Sequence, residues 1–329
     1  MKAAVLRKTK NLVIEEVPEL TATPPGCVKI AVKAVGICGS DVHYYKEGAI
    51  GSFVVKAPMI LGHEVGGIIE ETGEGVDLPV GAVVALEPGI PCGKCQHCRT
   101  GEYNLCPEVR FFATPPVDGA MTRYVIHPSE YTFLADGLTP EEASLAEPVS
   151  VGIYACREAS IHLGQRVAIL GAGPIGILTA MAAYAEGAVV SLFDIQEKRV
   201  EFARSMGFSA WIFQQGPDLQ YDRVIDCSGN KDAIQWGQSV VRPGGKLILV
   251  GMGSKDSMLI DGLDLASRGI SVQGIFRYSN TYPAALELIR RYRDKLTAFT
   301  EKKISLDELP EYLASNEYQG YIKTIVTLD

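Results

Sequence analysis

A glycine-rich run, Gly171-Ala-Gly173-Pro174-Ile175-Gly176, constrains the fold of this 329-residue chain more than any other stretch. It follows the branched, apolar segment 166–170 and opens a helical stretch, 175–186. Between a strand and a helix, G-x-G-x-x-G lets backbone N–H groups close on a pyrophosphate at the helix N-terminus. A glycine turn serving only tight strand–helix packing is the plainer alternative, and the strand-to-helix setting argues against it. Asp194 ends the next apolar run, eighteen residues beyond Gly176, where a carboxylate accepts hydrogen bonds from an adenosine ribose. An acid at that place repels a 2′-phosphate, so NAD is expected in preference to NADP. Arg199 would hold such a phosphate, but it reads more simply as a solvated charge in the first turn of a helix.

From about residue 141 the chain alternates strand-like and helical runs. Strands are expected over 166–170, 189–194, 210–213, 223–227, 246–250 and 270–275, separated by glycine-bearing turns. Six parallel strands suit a doubly wound sheet in the order 3-2-1-4-5-6. Only about eight residues, 214–221, join the third strand to the fourth, and no helix fits there. The crossing spans about 14 Å and eight extended residues reach roughly 26 Å, so the topology survives without one. Before residue 135 the chain reads as mainly antiparallel β, with 28–35, 67–71, 82–86 and 121–126 as strands. A helix is expected over 140–159 with Thr139 as N-cap, and another over 282–295. The strand 321–327 is assigned back to the first domain. The expected α/β organisation is a mainly antiparallel β domain, residues 1–149 with 278–329, and a doubly wound dinucleotide-binding domain, residues 150–277.

Cys92, Cys95, Cys98 and Cys106 stand as C-x2-C-x2-C-x7-C, among the turn residues Pro91, Gly93 and Pro107. Four thiolates on short loops suit a closed, tetrahedral zinc site. Two disulfides are the alternative, but the opening MKAAVLRKTK carries no basic-then-apolar signal segment, which points to reducing conditions and a cytoplasmic setting. No apolar stretch reaches the ~18 residues that span a bilayer, so no membrane role is expected. With 39 acidic against 31 basic side chains the net charge is −8, opposite to the basic face that grips nucleic acid.

Upstream lie Cys38-Gly-Ser40-Asp41-Val-His43 and Gly62-His63-Glu64. Cys38, His63 and Glu64 offer a soft thiolate, an imidazole and a carboxylate, three ligands that leave a zinc coordination place open for water or substrate. Singly, each has a blander reading, as an inert thiol, a satisfied core histidine and an exposed acid. Their occurrence together with the quartet and the glycine motif favours a catalytic zinc. Cys27, Cys156 and Cys227 read as small buried residues.

These residues carry a family resemblance. Gly62-His63-Glu64-x2-Gly67-x5-Gly73-x2-Val76 resembles the zinc signature of the medium-chain dehydrogenase/reductase superfamily, and the quartet resembles its structural-zinc lobe. His43-Tyr44, Glu87-Pro88-Gly89, Phe111-Phe-Ala-Thr114-Pro-Pro, Glu147-Pro-Val-Ser-Val-Gly152 and Phe276-Arg277-Tyr278-Ser-Asn-Thr281 resemble the polyol branch, the sorbitol/xylitol or L-iditol 2-dehydrogenases. The likeness runs over essentially the whole chain and implies a GroES-like catalytic domain beside a Rossmann domain. It implies catalytic zinc on Cys38, His63 and Glu64 with Glu147 nearby, and structural zinc on the quartet. It also implies substrate contacts from Tyr44, Glu147, Arg277 and Tyr278, and a proton relay through Ser40 and His43. Beyond the glycine loop with Pro174 and Ile175, the cofactor would be lined by Asp194, Arg199, Val250, Gly251, Met252, Ile275, Phe276 and Arg277. Three features bear on the match to the family: the missing helix over 214–221; the turn at Gly81, which lacks the basic residue that relatives place after it; and the cysteine quartet, which this chain keeps while members of the polyol branch differ over it.

The implied activity is reversible oxidation of a polyol to a ketose, with two Zn²⁺ per chain, NAD as hydride acceptor, and a homodimer or homotetramer. Glu147 or the Ser40–His43 route would carry the proton outward, and Arg277 with Tyr278 would orient the polyol. A zinc dehydrogenase acting on threonine, a simple alcohol or an aldose is the alternative enzyme. A zinc-bearing binding protein on a dinucleotide fold is the non-enzymatic one, and it has no need of an open ligand set.

Overall fold

Six parallel strands, Arg166–Leu170, Val189–Asp194, Ser209–Ile212, Tyr221–Asp226, Val241–Leu249 and Ser271–Gly274, form one sheet. The third lies at one edge, followed by the second, first, fourth, fifth and sixth, the doubly wound order that the sequence predicts. A computed structural model describes residues 1–253 and 260–328. It divides into two units, Met1–Glu147 with Ala285–Asp329, and Pro148–Ala284.

Within the second unit, the strand-to-strand link after Ser209–Ile212 carries no helix among the described residues. An aromatic cluster serves the packing instead. Phe193 stacks on Trp211 at 6.0 Å and meets Trp236 edge-on at 4.7 Å, while Phe213 contacts Trp236 at 5.4 Å. Gly216 allows the link to approach, because a Cβ there would collide with the Phe193 ring. These rings cover with side chains the apolar sheet face that a crossover helix would cover.

The first unit is built on a sheet whose two long strands, Cys27–Gly36 and Glu64–Thr72, pair antiparallel. Val28, Ile30, Val32, Val35, Val65 and Ile69 point into its core at 1% exposure or less. The closing strand is shorter than predicted, Ile325–Thr327, and it pairs with Cys27–Gly36 through Ile325 and Gly36. Thus the C-terminal segment returns to the first unit.

Two predicted helices are each interrupted. Pro140–Ser144, capped by Thr139 with Glu142 reciprocating, ends at Leu145, and Ala146–Ala159 begins anew. A continuous helix would put Pro148 in its interior, where the ring clashes and a donor is missing; restarting at Ala146 puts Pro148 in a first turn, where neither matters. The same restart places Glu147 at a helix N-terminus. Further on, Tyr282–Arg291 and Arg293–Thr300 are separated at Tyr292, whose φ is −116°. Buried Ile289 and Leu296 lie two helical turns apart, so the apolar stripe reads straight through the break.

Candidate active site and metal centres

Strand pairing assembles the first candidate ligand set. Gly36 sits opposite Glu64, so the exit of one strand, at Cys38, lies beside the entry of the other, at His63 and Glu64. Cys38 is the N-cap of a nine-residue helix, Gly39–Glu47. Gly62 holds φ +90°, and a Cβ there would strike Met121 and Val35. One donor atom from each of Cys38, His63 and Glu64 lies within 4.8 Å of the others. Thiolate, imidazole and carboxylate at that spacing fit a zinc ion with a place left for substrate.

The electrostatics suit a cation as well. Burial works against a charge on His63, but Cys38, Asp41 and Glu147 together push its pKa up to about 10. Glu147 is itself 6% exposed. Asp41 accepts the Cys38 N–H and the Gly62 N–H, each at 3.0 Å, and its Oδ1 lies 3.8 Å from His63 Nδ1. One carboxylate therefore fixes the backbone on both sides of the cluster and faces the His63 ring.

Lys323, which sequence reasoning missed, is 5% exposed and binds the carboxylate of Glu64, itself 1% exposed. The Glu64 charge favours its protonated form over the opposing burial, and its pKa is raised. Gly36 leaves the room for this pair, since a Cβ there would collide with Glu64 Oε2. The available signal was a lysine inside an otherwise β-type closing run.

The quartet gathers on its own loop, with all four sulfur atoms within 4.8 Å. Cys95 and Cys98 sulfurs are 3.4 Å apart and those of Cys92 and Cys98 3.9 Å. Both exceed by far the ~2.05 Å of a disulfide. They bracket the ~3.8 Å edge of a tetrahedron with Zn–S bonds of about 2.3 Å. Backbone N–H groups of Lys94 and Cys95 lower the Cys92 thiol to about 6, while burial raises Cys98 to about 12. The loop is clasped at its base by pairing of Gly89–Ile90 with Arg110–Phe111. Phe111 also lies against the His63 ring, at 5.8 Å. Inside the lobe the Tyr103 hydroxyl donates to Glu87 Oε1 at 2.7 Å. Burial nonetheless pushes Glu87 up to about 7.

In the second unit Gly173 caps the helix Pro174–Ala185 with Pro174 in its first turn. Gly171 has φ +97°, and a Cβ on Gly176 would meet the Gly171 carbonyl. Such a cradle admits a pyrophosphate because no side chain fills it. Asp194 Oδ2 accepts the Ala172 N–H and Oδ1 the Gln196 N–H, both at 2.8 Å. Arg199, half exposed, is more than a solvated charge: its Nη1 lies 3.6 Å from Asp194 and faces Gly173. Val250 and Gly251 follow the fifth strand, both donating to the Asp226 carbonyl, and Met252 is exposed. Ile275 donates to Leu249; Phe276 then carries the Arg277 guanidinium over its ring at 4.7 Å. Arg277 and Asn280 both hold φ +56°, and Tyr278 is buried against Tyr282. Left-handed backbone at two non-glycine residues marks this loop as one whose shape is fixed by its surroundings.

Tyr44 is buried on the inner side of helix Gly39–Glu47. Ser40 is partly buried in that helix's first turn, and His43 is exposed with Nε2 3.3 Å from Glu47.

Residues 24–136 match the alcohol dehydrogenase GroES-like domain and residues 174–291 the zinc-binding dehydrogenase domain. Sorbitol dehydrogenase of Bacillus subtilis is 43% identical over 303 residues, covering 88% of this chain and 86% of that protein. The chain belongs to the zinc-dependent medium-chain dehydrogenases, in their polyol dehydrogenase branch. Sorbitol dehydrogenase of Arabidopsis thaliana is 42% identical, covering 82% of this chain and 79% of that one. Among solved structures, L-idonate 5-dehydrogenase of Escherichia coli superposes with a TM-score of 0.92 at 28% identity, covering 99% and 98%. The 2R,3R-butanediol dehydrogenase of Bacillus subtilis gives 0.88 at 30% identity, covering 100% and 99%.

Proposed function

We propose that this chain is a zinc-dependent dehydrogenase that reversibly oxidises a secondary hydroxyl of a polyol to a ketose. The observation that carries the reading is the convergence of Cys38, His63 and Glu64, three unlike ligands where a closed structural site has four thiolates. Bound there, zinc supplies Lewis acidity toward an alcohol oxygen, and NAD⁺ supplies the hydride acceptor. The protein's own residues do the rest. Asp41 holds the backbone of Cys38 and Gly62 and faces His63. Lys323 balances the Glu64 charge. Glu147 stands beside the substrate. Ser40 and His43 pass its proton toward solvent, which the exposed His43 meets. Tyr44, Arg277 and Tyr278 take the remaining hydroxyls. Gly171, Gly173 and Gly176 receive the pyrophosphate, Asp194 the adenosine ribose, and the ends of the fifth and sixth strands line the cofactor beyond.

A homodimer or homotetramer is part of the proposal, checked by light scattering. So is cytoplasmic residence, which suits free thiols; no described helix is long and apolar enough to cross a membrane. The activity is tested by initial rates of NADH formation with sorbitol, xylitol, L-idonate, 2,3-butanediol, ethanol and threonine. Polyols are expected to give the highest kcat/KM. Turnover of ethanol or threonine with none on polyols would overturn the substrate assignment, and a lower KM for NADP⁺ than for NAD⁺ would overturn the reading of Asp194.

A further inference from the structure

At the end of the fourth parallel strand, Asp226 is fully buried. Its Oδ1 accepts the Ser228 N–H at 3.1 Å and the Ser228 hydroxyl at 2.6 Å, while Oδ2 accepts the Gly229 N–H at 3.0 Å. Its main-chain carbonyl accepts Val250 N–H at 2.8 Å and Gly251 N–H at 3.0 Å. One residue thus binds its own loop through the side chain and the end of the fifth strand through the backbone.

That loop has almost no freedom of composition. Gly229 holds φ +65°, and a Cβ on Gly251 would collide with the Gly229 backbone. A Cβ on Gly171 would come within 3.2 Å of Ser228. Three strand ends, the first, fourth and fifth, therefore meet backbone to backbone beside the glycine loop. Asp194 ends the second strand, on the other side of the first. A dinucleotide whose adenosine ribose lies at Asp194 and whose pyrophosphate lies at the first strand must run its other half over the fourth and fifth.

We infer that Asp226 is a positioning residue for the nicotinamide half of the cofactor, holding the Ser228–Gly229 loop against Gly171 and Gly251. The inference rests on the NAD reading proposed above. Asparagine at 226 keeps the shape but offers one acceptor oxygen; its NH₂ group must face the N–H of Ser228 or of Gly229. The loop then loses a bond and gains a repulsion.

The test titrates NADH and, separately, ADP into the zinc-loaded protein, following NADH fluorescence and ADP competition well below the melting temperature. Asp226→Asn should weaken NADH about tenfold, some 1.4 kcal/mol, and leave ADP within twofold, because ADP lacks the nicotinamide half. Ser228→Ala, which removes only the hydroxyl bond, should weaken NADH about threefold and serves if Asp226→Asn does not fold. NADH affinity unchanged in the variant that folds would overturn the inference, as would equal losses for NADH and ADP, the mark of general damage. Wild-type protein that binds neither NADH nor NADPH would overturn the cofactor reading itself, and this inference with it.

Discussion

Replacing Lys323 by methionine strands the Glu64 carboxylate in the core of the β-rich unit. Both partners are almost wholly buried, and Gly36 closes the space around the acid. Removing one partner of a buried pair costs about 3–5 kcal/mol, because the other charge is left without compensation. In a unit of about 190 residues, each kcal/mol moves the melting temperature by about 2–4 °C. The metal-free variant should therefore melt about 6–20 °C below metal-free wild type in a calorimetric scan. Zinc on the same carboxylate supplies the missing positive charge, so the gap should narrow when both proteins are zinc-loaded. The double variant Glu64→Gln/Lys323→Met should recover most of the loss, since no charge is then stranded. A metal-free Lys323→Met protein melting with wild type, or a double variant no more stable than the single one, would refute the reasoning.

Cys95→Ser should lose one zinc per chain and lower thermal stability before it lowers kcat at 25 °C; loss of kcat with stability intact would mean that the two metal sites have their roles reversed. Glu87 supplies a pH test. Its pKa is raised from 4.5 to about 7, chiefly by burial. A raised acid holds its proton more tightly when folded, so its stabilising contribution is full below about pH 4.5 and is lost as pH rises through about 7. Glu87→Gln should accordingly gain on wild type by up to about 3 kcal/mol between pH 5 and pH 8 in denaturant titrations, and a difference constant across that range would contradict the burial assignment.

The parallel sheet was the most legible part of the chain. Arg166–Leu170 and Val189–Asp194 lie where branched residues and flanking glycines predict them. Legibility fell where backbone partners come from afar. The predicted strand 121–126 forms as Tyr124–Pro128, because Met121 is already engaged with Leu61 and Ala4 across an irregular crossing. Helix Gly39–Glu47 escaped the pattern because its buried side includes Asp41 beside Tyr44 and Tyr45, which is no apolar stripe. The candidate ligand set could be picked out by residue type, a thiolate, an imidazole and a carboxylate, and the fold brings one donor atom of each within 4.8 Å of the others. Their supports were not. Lys323 reaches Glu64 across 259 residues; in the dinucleotide unit, likewise, Asp226 holds a loop whose approach is set by glycine contacts from two other strands. Such pairings depend on which strand ends the sheet brings together, a property of topology and not of local sequence.

The proposed function puts the chemistry at Cys38, His63 and Glu64 and not at the quartet. Zinc per chain and polyol-dependent NADH formation, measured together on wild type and Cys38→Ser, test it most directly. Wild type should hold two zinc ions and Cys38→Ser one, with the fold unchanged by circular dichroism and turnover abolished. A Cys38→Ser protein that kept both metals, or oxidised polyols at the wild-type rate, would contradict the proposal.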